Sequence, residues 1–554
     1  MNEPAPPSGR SSANHSSLWL VAALAAVILA IPNLSYPIGR DQATYAVIGR
    51  GLLHAQALYQ RLWDNKPPGI FFIFALIVEV FGRVMWSVGV VDVLWLAAIS
   101  LLIFRFTEPT MGRGAAAIAV LVNAVWHLRA GYWDAAQPET FLMLCVFGSY
   151  LLMSGDRPRA SLRRLGSGML FAAAFWIKYN AAAFLPFVLF VPFLDWAGLD
   201  GPPWRARLSL TWRRWVACLG WFAAGVAMVS TVVLSYFVFS HSWSAFWQEN
   251  VQVLPRYARA ALTATPGSRP WAFDSIRRWL GLWSITAAAV APLLAWKRKR
   301  LGELAPGWLG AASGFLALAI QIRYQPYYFE TCYPFFAMLW GYLAVEMYAG
   351  FGELARACRR RGWMVASSLV WLAFADLVAL AMPGPVVRAI VNYKALGEWL
   401  HGPEQFYASY AWPGAAEDFR DVLRVVKFLR QHPAPPGGVY VWGNEPLIYF
   451  LSGHSPPTRF VWNLALIAPW RLPGWRGELL HDLRRAQPLY LIVARHDAVP
   501  TLSGTLEDSE QALRAFPALA AFVSSGYRLQ QADGDFLIYG RKGSARSVTA
   551  GSQP

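Results

Sequence analysis

Long apolar runs, broken by short polar connections rich in arginine, dominate the chain up to residue 382. A helix that crosses a membrane needs about 20 mostly apolar residues. Runs of roughly this kind lie at 17–34, 84–106, 114–130, 139–153, 166–177, 181–196, 215–240, 276–296, 307–322, 327–348 and 363–382. The pattern therefore predicts about eleven spans. The run at 67–81 is shorter, opens on Pro67 and Pro68 and holds Glu79, so it reads as an interfacial or re-entrant helix. Residues 36–83 then form one long loop between the first two spans. Beyond residue 382 no run is long enough to span. Helical spacing at 418–430, and strand-like runs at 438–442, 488–493 and 535–540 between Pro/Gly breaks, predict a small α/β domain over 383–541. Polar tails at 1–16 and 542–554 flank the whole.

Composition agrees with lipid as the main solvent. Of the 554 residues 56% are hydrophobic and 15% charged, against about 25% charged in soluble domains. The net charge of +17 would suggest nucleic acid in a soluble chain. Here it is read loop by loop, because Lys and Arg set membrane orientation. Arg157, Arg159, Arg163 and Arg164 crowd one loop, and Arg205, Arg207, Arg213 and Arg214 the next but one. Lys297 to Arg300, and Arg356 with Arg359 to Arg361, crowd two more. Clusters at every second loop place the N-terminus in the cytoplasm and the α/β domain outside. Counting 67–81 as a span would break this alternation. Four scattered cysteines and dispersed histidines offer neither a disulfide framework nor a metal-ligand set.

Charged residues in the outside loops carry the candidate chemistry. Asp41 follows Arg40 a few residues beyond the first span and precedes a helix-like stretch at 43–53. It reads as an N-cap or as a partly desolvated carboxylate suited to general-base work. Asp64-Asn65-Lys66-Pro67-Pro68-Gly69 sets a lysine where a phosphate at the membrane surface would sit, although a lysine beside headgroups also simply snorkels. Asp134, Gln137 and Glu139 occupy the next outside loop, with Glu139 opening a span after Pro138. An acid there caps the helix or marks a site, since ionisable groups entering lipid are costly. Arg323, Tyr324 and Tyr327 join two late spans and read as an anion clamp with rings for a sugar or lipid, or as an aromatic belt. Lys178, Arg256 and Arg259 lie on the same face. The chain has no Walker A loop, no GxGxxG and no nucleophile elbow.

Asp41 in the first outside loop, DNKPPG, AQPETF, RYQPYYF and VWGNEPLIYFLSG, taken in this order, resemble the bacterial GT-C glycosyltransferases. The protein O-mannosyltransferase-like and aminoarabinose-transferase-like enzymes are the most similar, over about 17–541. The resemblance implies a polytopic α-helical membrane enzyme with the GT-C fold, in the bacterial inner membrane, its site facing the periplasm. It implies an inverting hexosyl- or pentosyltransferase. The sugar comes from a polyprenyl-phosphate carrier and goes to an acceptor outside the cytoplasm: protein, lipid A, another lipid or a glycan. No nucleotide is needed, because the carrier bond already holds the energy, and neither a metal nor another cofactor is expected in this chain. Asp41 matches the catalytic acid, Glu139 a second catalytic acid that opens the fourth span, and Lys66 the lysine beside the carrier phosphate. Arg323 and Tyr327, with Tyr324, match the junction that meets the donor; Arg40, Asp64, Asn65, Asp134 and Gln137 support it. Two departures stand out. Asn65-Lys66-Pro67 replaces the relatives' Glu-Lys-Pro, and Tyr327-Tyr328-Phe329 their His-Tyr-Phe. A lipid-linked-sugar flippase and a non-catalytic scaffold are the competing classes. A flippase would show charges at mid-span and paired broken helices, whereas the acids here sit at helix ends.

Overall fold

The computed structural model describes residues 17–129, 131–154, 159–190, 204–263, 268–381, 383–410 and 419–543. The expected tail at 1–16, nearly all of that at 542–554, the end of the span at 181–196 and Arg157 lie outside these residues. So do the side chains of Arg205, Arg207, Arg213 and Arg214.

The apolar runs are helical. α1 (Ser17–Ala30) ends in a 3-10 turn at Ile31–Ser35, and α2 (Arg40–Leu53) begins after a short extended link. α2 carries Asp41 in its first turn and Arg50 in its last, the order the helix dipole favours. The run at 67–81 becomes α3 (Pro68–Phe81), with Pro68 in its first turn and Gly82 closing it at φ 72°. α2 and α3 lie against one another so closely that a Cβ at Gly49 would stand 2.5 Å from the Ala75 amide nitrogen. This hairpin is the platform of the candidate site.

Behind it stand α4 (Ser87–Met111), α5 (Arg113–His127), α6 (Pro138–Met153) and α7 (Ala160–Ile177). The helix Trp204–Phe239 packs on α7 through Gly168 and Gly225, whose added Cβ atoms would meet the carbonyls of Phe222 and Leu165. Small residues permit such close approach where apolar lipid gives helices no hydrophobic drive to associate. The later helices include Leu282–Lys297, Leu301–Ala319, Tyr333–Arg360 and Met364–Ala381. Among the described residues three helices are long and apolar enough to cross a membrane: Leu18–Ser35, Ser87–Met111 and Trp215–Phe239. A fourth appears if the bent pair Ala272–Trp279 and Ser284–Lys297 is one span. Several other expected spans are shorter, as α5 and α6 are with 15 and 16 residues.

The C-terminal part holds β1 (Val439–Trp442), β2 (Tyr490–Ala494), β3 (Tyr527–Asp533) and β4 (Phe536–Arg541), in one four-stranded sheet of order β1-β2-β4-β3. β1 and β2 are parallel, and the other two pairings antiparallel. β1, β2 and β4 are the three runs expected from the sequence. β3 was not expected: its middle residues are exposed and Arg528, Gln530 and Gln531 among them are polar, so no apolar run announces it. The helix expected at 418–430 spans Phe419–Gln431. A helix at Pro383–His401 was also unforeseen; it leans on the end of α1, where Tyr393 Oη donates to the Ile28 carbonyl at 2.5 Å.

Candidate active site

The loop between α2 and α3 is held to the C-terminal domain. Trp63 donates its amide to the Arg459 carbonyl at 2.7 Å. Its indole ring lies 4.9 Å from that of Trp475 and 5.7 Å from that of Trp462. Arg40 makes a buried ion pair with Glu445, its Nε donating to Oε1 at 2.8 Å. The residue directly before Asp41 is thereby tied to the WGNEP turn after β1. These contacts enclose a cavity of about 150 Å³.

Much of the cavity lining is polar: Arg40, Asp41, Thr44, Asp64, Asn65 and Lys66 come from α2 and the loop, and Gln325, Tyr327 and Tyr328 from the late junction. The rest of the lining is mostly aromatic and aliphatic: Trp133, Tyr257, Trp462, Leu464, Val499 and Leu502, with Asn444. Asp41 and Lys66 are partly open, whereas Arg40, Asp64 and Asn65 around them are buried. The N-cap of α2 is Gly39, so Asp41 does not cap the helix. Its Oδ2 accepts the Tyr327 hydroxyl at 2.8 Å, which aims the carboxylate into the cavity and leaves Oδ1 for another partner.

Electrostatics separates the two charged groups on the Asp64–Lys66 turn. Burial raises the Asp64 pKa above the ordinary carboxylate range despite the pull of Lys66. Burial also disfavours the Lys66 ammonium, but the Asp64 and Asp41 carboxylates outweigh it and hold its pKa above that of a free lysine. Lys66 is therefore a firm cation, steadied by its 3.1 Å hydrogen bond to Asn65 Oδ1 and by Tyr59 Oη on its carbonyl at 2.7 Å. The backbone turn itself is closed by the Asn65 amide donating to Asp64 Oδ1 at 2.7 Å.

The remaining expected residues take places around the cavity rather than on its wall. Glu139 is fully buried and ion-pairs with Lys178, whose ammonium stands 4.0 Å above the Tyr328 ring and 5.8 Å from that of Tyr327. A continuous chain thus runs from Asp41 through Tyr327 and Lys178 to Glu139. Burial pushes the Lys178 amine down to about 8 against the attraction of Glu139. Arg323 is buried beside Tyr257, 4.1 Å from its ring centre and donating to its carbonyl at 3.4 Å. Tyr257, not Arg323, faces the cavity. Tyr324, at φ 43°, likewise yields the wall to Gln325. Asp134 and Gln137 are buried in the loop ahead of α6, where their backbone and side-chain bonds shape the turn.

Sequence reading missed Glu445, Asn444 and the Trp462–Leu464 segment, all from the C-terminal domain. The WGNEP motif was the available signal, but nothing in its composition says that it faces Arg40. It also missed Glu249, buried in a π-turn at Gln248–Val253 and accepting from the Trp63 indole at 2.7 Å. Burial pushes this carboxyl up to about 8. Among the described residues no group of three or more His, Cys, Asp or Glu side chains is arranged to hold a metal ion.

Residues 65–205 match the sequence model of the dolichyl-phosphate-mannose-protein mannosyltransferase family. The fold is similar to the crystal structure of ArnT from Cupriavidus metallidurans bound to undecaprenyl phosphate. That alignment has a TM-score of 0.55 and 14% identity over 96% of this chain and 99% of that one. The archaeal oligosaccharyltransferase AglB from Archaeoglobus fulgidus, in complex with an inhibitory peptide and a dolichol-phosphate, aligns at a TM-score of 0.48. It shares 12% identity over 97% of this chain and 75% of that one. No curated protein matches the chain. The family match and the ArnT-like fold bear out the resemblance to GT-C glycosyltransferases drawn from the sequence motifs.

Proposed function

We propose that this GT-C-like chain is a polytopic membrane glycosyltransferase. It moves a sugar from a polyprenyl-phosphate carrier to a hydroxyl acceptor outside the cytoplasm. The observation that carries the reading is the convergence of Asp41 from α2, Lys66 from the loop after it and Tyr327 from the distant turn Pro326–Thr331 on one cavity. A base and a phosphate-neutralising cation a short distance apart are what displacement at a sugar carbon needs.

In this reading the carrier phosphate rests against Lys66, with the sugar in the cavity between Asp41 and the Trp462 wall. The acceptor oxygen forms its bond to the anomeric carbon while Asp41 Oδ1 takes its proton. The carbon–oxygen bond to the phosphate breaks, and its electron pair leaves with the polyprenyl phosphate, whose charge Lys66 balances. Attack and departure on opposite faces invert the anomeric centre. Tyr327 holds the base; Lys178 and Glu139 hold Tyr327 and Tyr328; Arg323 supports Tyr257. About eleven spans with the N-terminus inside would set this cavity on the outer face of the inner membrane, covered by the α/β domain. The acceptor is protein, lipid A, another lipid or a glycan.

Vesicles holding the protein test the class. They are given radiolabelled undecaprenyl-phosphate sugars and cell-envelope acceptors. Label leaving the carrier and joining a non-carrier product supports transfer. Label that crosses the bilayer still on its carrier would mean a flippase, and no movement of either kind a scaffold.

A further inference from the structure

A second polar cluster lies apart from the cavity, among the helices. His127 of α5 meets Asp92 of α4 through Nε2 at 2.9 Å and Glu330 of the late 3-10 turn through Nδ1 at 2.8 Å. All three side chains are at most 1% exposed. Asp92 also accepts Asn33 Nδ2 at 2.5 Å and the Ala136 amide at 3.1 Å. Trp95 covers the imidazole, with ring centres 4.7 Å apart. Three ionisable groups deep in an apolar bundle are costly unless they hold one another, and nothing in the transfer step uses them.

Their partners explain the placement. Asn33 lies on the turn that leads to α2 and Asp41. Ala136 lies in the loop that leads to Glu139. Glu330 shares the 3-10 turn Pro326–Thr331 with Tyr327, which binds Asp41, and Tyr328, which faces Lys178. The cluster therefore bonds the turn that leads to Asp41, the loop that leads to Glu139 and the turn that carries Tyr327 and Tyr328. Buried hydrogen-bonded networks fix geometry because every alternative arrangement leaves a desolvated group without a partner.

We infer that Asp92, His127 and Glu330 are positioning residues, a buried three-way clasp that sets the Tyr327–Asp41 contact and the loop before Glu139. Its role in turnover rests on the proposed transferase reading; the clasp itself does not. Hydrogen exchange on the purified full-length protein, wild type against Glu330→Gln, tests the clasp without any sugar donor. The expected result is at least tenfold faster exchange in 326–332 and at the amides of 133–137, with the rest of the chain unchanged. Exchange like wild type in those segments, or faster exchange everywhere, overturns it. If Glu330→Gln does not fold, Asn33→Ser, which removes only one donor to Asp92, is read in the same way. With a turned-over donor, Glu330→Gln should lower kcat at least tenfold with KM for the donor unchanged. In a Tyr327→Phe background most of that loss should vanish; fully multiplicative losses would place the effect elsewhere and overturn the inference.

Discussion

Replacing Asp41 by Asn is the sharpest perturbation of the proposed chemistry. The amide has the shape of the carboxylate, and its oxygen still accepts the Tyr327 hydroxyl now found 2.8 Å from Oδ2. Cavity walls and fold are therefore expected to persist, while the proton acceptor is lost. A positioned general base contributes about 10²–10⁴ in rate, or about 3–5 kcal/mol of barrier at 1.36 kcal/mol per tenfold. Asp41→Asn should thus lower kcat by that factor with melting temperature and undecaprenyl phosphate affinity unchanged. Tyr327→Phe keeps the base and removes one hydrogen bond to it, so its loss should be smaller, about tenfold. The assay follows label from undecaprenyl-phosphate sugars into product, with full-length protein in nanodiscs and saturating envelope acceptor. Turnover of Asp41→Asn within threefold of wild type would refute the base assignment, because no structural damage is there to confuse the result.

The remaining predictions probe the surrounding charges. Lys66→Met should weaken undecaprenyl phosphate binding about tenfold or more, read by intrinsic tryptophan fluorescence, because Lys66 puts a firm cation on the cavity lining, where Arg40 is already ion-paired with Glu445. Lys178→Met should destabilise the protein by about 3–5 kcal/mol by stranding buried Glu139; adding Glu139→Gln should restore most of the melting temperature. Glu249 has a folded-state pKa of about 8 against an ordinary 4.5. Between those values the unfolded chain has lost a proton that the folded chain keeps, so stability falls as pH rises across this window. Glu249→Gln should match wild type near pH 4.5 and melt several degrees higher above pH 8, as thermal scans across that range would register.

Periodicity made the helices legible, because a segment facing lipid must close its own backbone hydrogen bonds and show apolar side chains all round. The α2 and α3 stretches were readable for a similar reason: Pro67 and Pro68 punctuate the chain, and Asp41 and Lys66 stand out against their apolar surroundings. β3 was not readable, since its middle side chains face water and alternation fades without a buried face. Glu249 gave no sign either, because a carboxylate carries no mark of whether it will be covered by Trp63.

Local pattern, then, decides which segments enter lipid and which loops carry charge, since both follow from side chains acting on their own neighbours. Juxtaposition is another matter. That Arg40 reaches Glu445, that Tyr327 holds Asp41, and that Arg323 stands behind Tyr257 depend on contacts between residues far apart in the chain. Only the folded arrangement brings such residues together, because helix packing, rather than any preference of the residues themselves, determines which of many similar loops share one cavity.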